Sequence, residues 1–288
     1  MFEDVVQTST CKDNACDCGT FFLDCAGCFG QSQVHVESSP AVRQKHPNVE
    51  RLIEETWQKE IARAQEAGKT LFDGRLCRLN SASYRNSTLE LSVGEVSFKE
   101  FLGTNLTHAY LRYVHGSEVL ADALGASAVI RTGDGFLLLG MRSQSVLYHA
   151  GRIHPIGGII EAAKDRPVDP FAAMKREIEQ EINVSEFMDI HCLGLVRDKH
   201  IIQPELVFDV SIAPEFIDVR QLAEKALDAH EHSEWVPLRD HPAAAVNFIE
   251  QNYCRLTPLA MAALLLHGLR HWGSGWFAAT RGYLRSVI

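Results

Sequence analysis

Two glutamates one helical turn apart are the residues of this sequence best placed to do chemistry. Glu177 and Glu181 are four positions apart, so on a helix their side chains point to the same side. That side is offset from Ile178 and Ile182, which can therefore pack on a sheet while both carboxylates face a groove. Like charges at this spacing destabilise a bare helix, and a divalent cation would remove that cost. The pattern predicts a site for Mg²⁺, which prefers carboxylate and carbonyl oxygens.

A glycine pair ahead of this segment offers a second kind of ligand. Gly157 and Gly158 allow the backbone to approach an ion closely, and we expect the Gly157 carbonyl to bind it. Two candidate additional acids are Glu161, in the loop that follows, and Glu231, further along the chain. For Glu231 the alternative is an ordinary solvated loop charge.

The segment that carries the two glutamates has clear helix boundaries. Asp169 is a good N-cap and Pro170 a good first-turn residue. Asn183 can take the left-handed conformation that ends a helix. Before this helix, the apolar runs 126–131 and 136–141 are joined by Thr-Gly-Asp-Gly, which predicts a β-hairpin.

Hydrophobic periodicity predicts a mixture of further strands and helices. Residues 49–67 repeat apolar side chains at helical spacing, and alternation at 89–93 is typical of a half-buried strand. The remaining predicted elements are strands at 21–25, 75–79, 193–197, 205–212 and 235–238, a short helix at 98–102, and a final helix from Pro258 to about Trp272.

The glycine pair, the loop and the Arg-Glu-Ile-x-x-Glu-x-x-Val segment together resemble the Nudix box. The loop is longer than in the usual box, so no glutamate occupies the usual loop position. Gln180 stands where the first glutamate of a Glu-Glu pair is expected, and Asn183 replaces the box glycine. The matching residues are Gly158, Arg176, Glu177, Ile178, Glu181 and Val184.

A narrower resemblance is to the UDP-glucose pyrophosphatase branch of the Nudix family. Besides the long-looped box, similar segments lie at 71–73, 101–105, 122–125 and 229–231. The resemblance implies hydrolysis of the pyrophosphate bond of a UDP-sugar, UDP-glucose or UDP-galactose, to UMP and a sugar 1-phosphate. It also implies Mg²⁺ as the cofactor, with Mn²⁺ as the alternative ion.

The same resemblance implies roles for individual residues. Glu177, Glu181 and the Gly157 carbonyl would hold the ion, and Glu181 or a loop carboxylate would assist proton removal from water. Arg176 would orient the glutamates. The remaining candidates, Arg142 for a phosphate oxygen, Phe72 and Phe98 for the base or sugar, and His154 for phosphate, have core packing or a solvated surface position as their alternative.

The fold implied is an α/β/α sandwich, the Nudix fold, in which a mixed sheet lies between helices, with an N-terminal α+β extension. We divide the chain into a Cys-rich tail at 1–19 and an N-terminal α+β domain at 20–118. A Nudix domain at 119–245 and a C-terminal helical segment at 246–288 follow.

Composition narrows the partners. The chain has 288 residues, of which 46% are hydrophobic and 23% charged, as is ordinary for globular proteins. A net charge of −9 argues against nucleic acid. The start has no basic segment of a secretory signal, and no apolar run approaches the ~20 residues that cross a membrane. We expect a cytoplasmic enzyme whose partner is a small-molecule nucleotide sugar, with no nucleic acid and no membrane.

Cysteines are concentrated near the N-terminus. They predict either a zinc site or redox cluster, or a reduced tail that runs into a first strand. We favour the tail, because Cys25-x-x-Cys28 has no second pair at a finger-like distance. The cluster comprises Cys11, Cys16, Cys18, Cys25 and Cys28.

Two other functions fit the same residues. One is Nudix chemistry on another substrate, such as ADP-ribose, a different nucleotide sugar or a dinucleotide. The other is a Nudix module that binds a nucleotide without cutting it, which Gln180 and the missing loop glutamate would explain. Both metal-site candidates, Glu177 and Glu181, are present, and this favours an enzyme.

Overall fold

The computed structural model describes residues 16–17, 19–162 and 167–287. The strands are β1 Cys16–Asp17, β2 Phe21–Phe29, β3 Val34–Ser38, β4 Arg75–Arg85, β5 Thr88–Ser97, β6 Gly125–Arg131, β7 Phe136–Arg142, β8 Ile153–His154, β9 Ile156–Ile159, β10 Asp189–Asp198, β11 Pro204–Ser211 and β12 His232–Arg239. The α-helices are α1 Pro47–Glu66, α2 Phe98–Phe101, α3 Leu111–His115, α4 Pro170–Ile182, α5 Phe216–Ala223, α6 Pro242–Asn252, α7 Pro258–Trp272 and α8 Ser274–Val287.

A large mixed sheet forms the centre of the molecule. Its strands run in the order β1-β2-β10-β11-β6-β7-β12, with β8 paired to β7 and β9 to β6. The β11–β6 pair is parallel, and the neighbouring pairs β10–β11 and β6–β7 are antiparallel. Pro237 lies in the edge strand β12, where a missing N–H is tolerated.

Helices cover both faces of this sheet. Leu138 and Phe208 pack with Ile178 of α4, whereas their chain neighbours Leu139 and Val207 pack on the α7 side, because successive strand residues point to opposite faces. The predicted sandwich with a mixed sheet between helices is therefore confirmed. No helix in the described ranges has the length and apolar character needed to cross a membrane.

The N-terminal part is divided between two sheets. A smaller sheet has the order β3-β5-β4. Strand β2, which corresponds to the strand predicted at 21–25 in the N-terminal domain, instead pairs with β10 of the large sheet. The domain boundaries at residues 118 and 245 stay predictions. Most of the predicted tail at 1–19 lies outside the described residues, but the Cys16–Asp17 backbone pairs with β2.

Cys25 and Cys28 are the N-terminal cysteines whose side chains the structure describes, and they lie on different faces of the large sheet. Cys25 is buried in the core between the sheet and α4. Cys28 is half-buried, and its nearby charges include Arg270 of α7 and Asp209 of β11, on the other face of the sheet. The Cys25-x-x-Cys28 pair therefore does not converge on one ion. Cys11 and Cys18 lie outside the described residues, as does the Cys16 side chain.

Local signals set the limits of α4 as predicted. The Asp169 carboxylate accepts hydrogen bonds from the backbone N–H groups of Phe171 and Ala172. Asn183 has φ 56° and ends the helix in the left-handed conformation. These ends fix which way the helix presents its side chains, so the positions of Glu177 and Glu181 follow from them.

Candidate active site

Helix α4 places both glutamates against the glycine pair of β9. The Gly157 N–H donates to Glu181 Oε1 at 2.9 Å. The Glu177 carboxylate lies so close to Gly158 that a Cβ there would come within 2.5 Å of Glu177 Oε2. A side chain at Gly157 would likewise overlap Ala126 O, at 2.2 Å. The glycines are needed because the two elements meet at backbone distance.

Glu181 lies behind the surface rather than on it. It is only 3% exposed, and its second oxygen, Oε2, pairs with Nε2 of His232 on β12. The imidazole lies directly over Gly140 of β7, where a Cβ would meet it at 2.0 Å. His232 was not among our predicted site residues, although it immediately follows Glu231.

The electrostatics of this site favour an added positive charge. Burial raises the pKa of Glu177 to about 7, and the Glu181 carboxyl adds to the effect while Arg176 opposes it. Burial, together with Glu231, raises the pKa of Glu181 well above its ordinary value. Burial and Arg142 lower the pKa of His232 to about 4. Two buried carboxyls that resist ionisation beside a neutral imidazole suit a divalent cation.

A cleft of about 410 Å³ opens in front of Glu177. Its walls come from residues between 21 and 106 in the N-terminal part, from the segment between β7 and β8, and from the end of β10. Of the predicted site residues, those that line the cleft are Arg142, Phe98, His154, Gly157, Glu177 and Glu231.

Four predicted residues lie elsewhere. Phe72 is 80% exposed and does not line the cleft, so its assignment to the base or sugar stays a prediction. Glu161 is exposed and its backbone bridges to Leu76. Arg176, the residue before Glu177 on α4, contacts Glu177 Oε1 at 3.4 Å. Glu181 is enclosed behind Gly157.

The far wall of the cleft is a polar network that the sequence analysis did not identify. The Tyr148 hydroxyl donates to Asp198 Oδ2 at 2.9 Å, and His149 Nε2 lies 3.4 Å from the same oxygen. Burial acts to raise the pKa of Asp198, but these hydrogen bonds and those of two backbone N–H groups hold it below its ordinary value. Arg142 Nε donates to the Tyr148 carbonyl at 3.0 Å, which joins the two walls.

Two further polar residues, His154 and Glu205, line the cleft. His154 is buried and its Nδ1 lies 2.9 Å from the Thr257 hydroxyl, a contact typical of a structural histidine. Burial raises the pKa of Glu205 to about 8, although the Ser127 hydroxyl donates to it. The cleft therefore holds buried acids at more than one point of its lining.

Sequence relatives agree with the resemblance read from the box. No protein-family model matches the chain. It is 32% identical over 186 residues to "Uridine diphosphate glucose pyrophosphatase NUDT22" of Mus musculus, covering 55% of this chain and 59% of that protein. The protein of the same name from Homo sapiens is 33% identical over 154 residues, covering 48% of this chain and 50% of that protein. The chain thus spans about half to three-fifths of these relatives.

Structural likeness to solved proteins is weaker. A NUDIX hydrolase from Nitrosomonas europaea aligns with a TM-score of 0.37 and 16% identity, covering 51% of this chain and 89% of that chain. The sequence matches show that the chain is similar, over the matched residues, to the UDP-glucose pyrophosphatase branch of the Nudix hydrolases.

Proposed function

We propose that this chain hydrolyses the pyrophosphate bond of a UDP-sugar, UDP-glucose or UDP-galactose, to UMP and a sugar 1-phosphate. The observation that carries the proposal is the contact of Glu177 and Glu181 with the glycine pair at the floor of the cleft. The name of the sequence relatives supports the uridine nucleotide as substrate.

We assign the metal site to Glu177, Glu181 and the Gly157 carbonyl, with Mg²⁺ as the ion and Mn²⁺ as the alternative. The fit rests on the half-buried Glu177 and the buried Glu181, whose pKa values are raised by burial, and on oxygen donors, which a hard cation prefers. When bound, the ion would neutralise diphosphate charge and make a water more acidic.

The chain's own residues divide the remaining work. Arg142, held by the Tyr148 carbonyl, is assigned to a phosphate oxygen. Glu231 lines the cleft, so it is better placed than the enclosed Glu181 to accept a proton from the attacking water. Arg176 acts as a positioning residue through its contact with Glu177.

Phe98 is the better aromatic candidate for the uridine or sugar. It lines the cleft and packs edge-on against Trp57, with ring centroids 6.4 Å apart. An aromatic face fixed in this way can stack on a base without losing rotamer freedom.

A substrate panel with Mg²⁺ tests the proposal. The expected result is equal amounts of UMP and sugar 1-phosphate from UDP-glucose or UDP-galactose, and slower turnover of ADP-ribose and dinucleotides. Cleavage of ADP-ribose without release of UMP from either UDP-sugar would overturn the substrate assignment. Binding of UDP-glucose with no turnover in Mg²⁺ or Mn²⁺ would favour a nucleotide-binding module.

A further inference from the structure

A second cluster of ligand-type side chains lies on the opposite face of the sheet from Glu177. Asp209 is on β11, between Phe208 and Val210, which pack on the α4 side, so its carboxylate points toward α7. His267 and His271 are four residues apart on α7 and share one side of the helix. One ligand atom from each of Asp209, His267 and His271 lies within 4.8 Å of the others.

The hydrogen bonds of His267 leave one ring nitrogen facing this cluster. The ring is fully buried, and Nε2 lies 3.0 Å from Asp240 Oδ1. Nδ1 is 3.3 Å from Asp209 Oδ2 but makes no hydrogen bond within the described part of the chain. If Nε2 donates to Asp240, the neutral ring directs its Nδ1 lone pair at another acceptor. Such a contact requires either a proton on Nδ1 or a metal ion between the two atoms.

We propose that Asp209, His267 and His271 bind a borderline-soft transition-metal ion, with Zn²⁺ as the ion that fits best. Two imidazoles and one carboxylate are a ligand set that Zn²⁺ commonly takes. The bond from His267 to Asp240 is the outer carboxylate contact that usually orients a metal-bound histidine. The His271 side chain is 34% exposed, so water can supply a fourth ligand.

The charge of the site allows a metal ion to replace the protons of its two histidines. Asp209 Oδ2 lies 2.7 Å from His271 Nε2 and 3.3 Å from Arg270 Nη1. Without metal, the histidines supply the positive charge as protonated rings. Zn²⁺ would replace two such protons with the same total charge. Arg270 keeps a separate partner in Asp189, at 2.7 Å, and so need not compete for the site.

The position of the cluster points to a structural ion. Its ligands join α7 to β11, two elements that also meet through apolar side chains and the Arg270–Asp209 ion pair. The residues are distinct from those that line the cleft. A zinc ion that binds the folded chain and not the unfolded chain would stabilise the fold to an extent set by its occupancy. This stabilisation would not require substrate.

Zinc binding by the chelator-treated full chain tests the proposal. Zn²⁺ is titrated with Mg²⁺ in excess, and bound zinc and Tm are both measured. The half-exposed ligand is removed in His271→Ala, and the matched control is His35→Ala, an exposed histidine outside the cluster. We expect wild-type and His35→Ala protein to bind one zinc more than His271→Ala, and to gain several degrees of Tm that His271→Ala does not gain.

Two measurements guard against other zinc ligands and against a misfolded variant. Zinc on the N-terminal cysteines would remain in His271→Ala, and Co²⁺ there would show the absorption of thiolate ligands, which the proposed site lacks. Asp240→Asn retains all three ligands and should weaken zinc affinity about ten-fold. Equal zinc binding by wild-type and folded His271→Ala protein would overturn the proposal in favour of a purely protonated network. Unchanged zinc affinity in Asp240→Asn would also overturn it, because the zinc would then be bound at ligands other than His267.

Discussion

The two faces of the large sheet carry buried carboxylates in opposite electrostatic states. On the α4 face, burial raises the pKa of Glu177 to about 7 and that of Glu181 well above its ordinary value. On the α7 face, burial also acts to raise the pKa of Asp209, but the adjacent rings of His267 and His271 hold it far below its ordinary range. The difference is the nearby positive charge. We infer that the α4 site needs a cation, whereas the α7 site is balanced by protons and would exchange them for one.

Removing one carboxylate from the α4 face should have the largest effect. Glu177→Gln keeps the side-chain volume but removes a metal oxygen, and we expect kcat/KM with Mg²⁺ to fall roughly 1,000-fold, about 4 kcal/mol of barrier. The matched control is Glu179→Gln, on the exposed side of the same helix, which should stay within about two-fold. Equal activity in both variants would remove Glu177 from the site.

On the α7 face the expected loss is in stability. Asp209 is 1% exposed and pairs with His267, His271 and Arg270. Asp209→Asn should lower the free energy of unfolding by about 3 kcal/mol, as when one partner of a buried ion pair is removed. Urea unfolding measures the change. A variant as stable as wild type would show that the α7 face is not held together by this charge network.

The pH dependence of stability should separate the faces in chelator-treated protein. The pKa of Glu177 is about 7 in the folded chain and 4.5 ordinarily, so its contribution is present below pH 4.5 and is lost as the pH rises through 7. Asp209, with its lowered pKa, contributes above its ordinary pKa and loses this as the pH falls.

Comparison with the Glu177→Gln variant isolates the first of these contributions. The variant should gain about 2 kcal/mol of stability relative to wild type between pH 4.5 and pH 7. Thermal unfolding across that range gives the difference. A constant difference at every pH would contradict the assigned state of Glu177.

The smallest effect is expected from the imidazole behind the α4 site. His232 touches Glu181 and not the cleft, so we treat it as a positioning residue. His232→Gln should raise the Mg²⁺ concentration for half-maximal rate about ten-fold, with kcat at saturating Mg²⁺ changed much less. A fall in Tm with an unchanged Mg²⁺ dependence would indicate a packing role only.

The parts of the site that could be predicted are those set by local sequence. Helix α4 was predictable because Asp169 and Asn183 mark its ends and the Glu177–Glu181 spacing sets their common side. The glycine pair was predictable because close backbone approach requires that residue type. These features need no knowledge of distant strand pairing.

The contacts that could not be predicted join distant parts of the chain. His232 meets Glu181 because β12 pairs with β7, and the contact of Tyr148 with Asp198 spans 50 residues. The hydrophobic pattern of the sequence does not identify which distant residues come into contact. Helix α8 was missed for a different reason: Gly273, with φ 90°, ends α7 as a stop signal should, and a new helix begins at the next residue.

Locating bound Mn²⁺ by its anomalous scattering in crystals of the protein tests the contrast between the faces most directly. We predict a peak at Glu177, Glu181 and the Gly157 carbonyl, because that face lacks positive charge and offers oxygen ligands. A peak at Asp209, His267 and His271, with none at Glu177 and Glu181, would contradict the account.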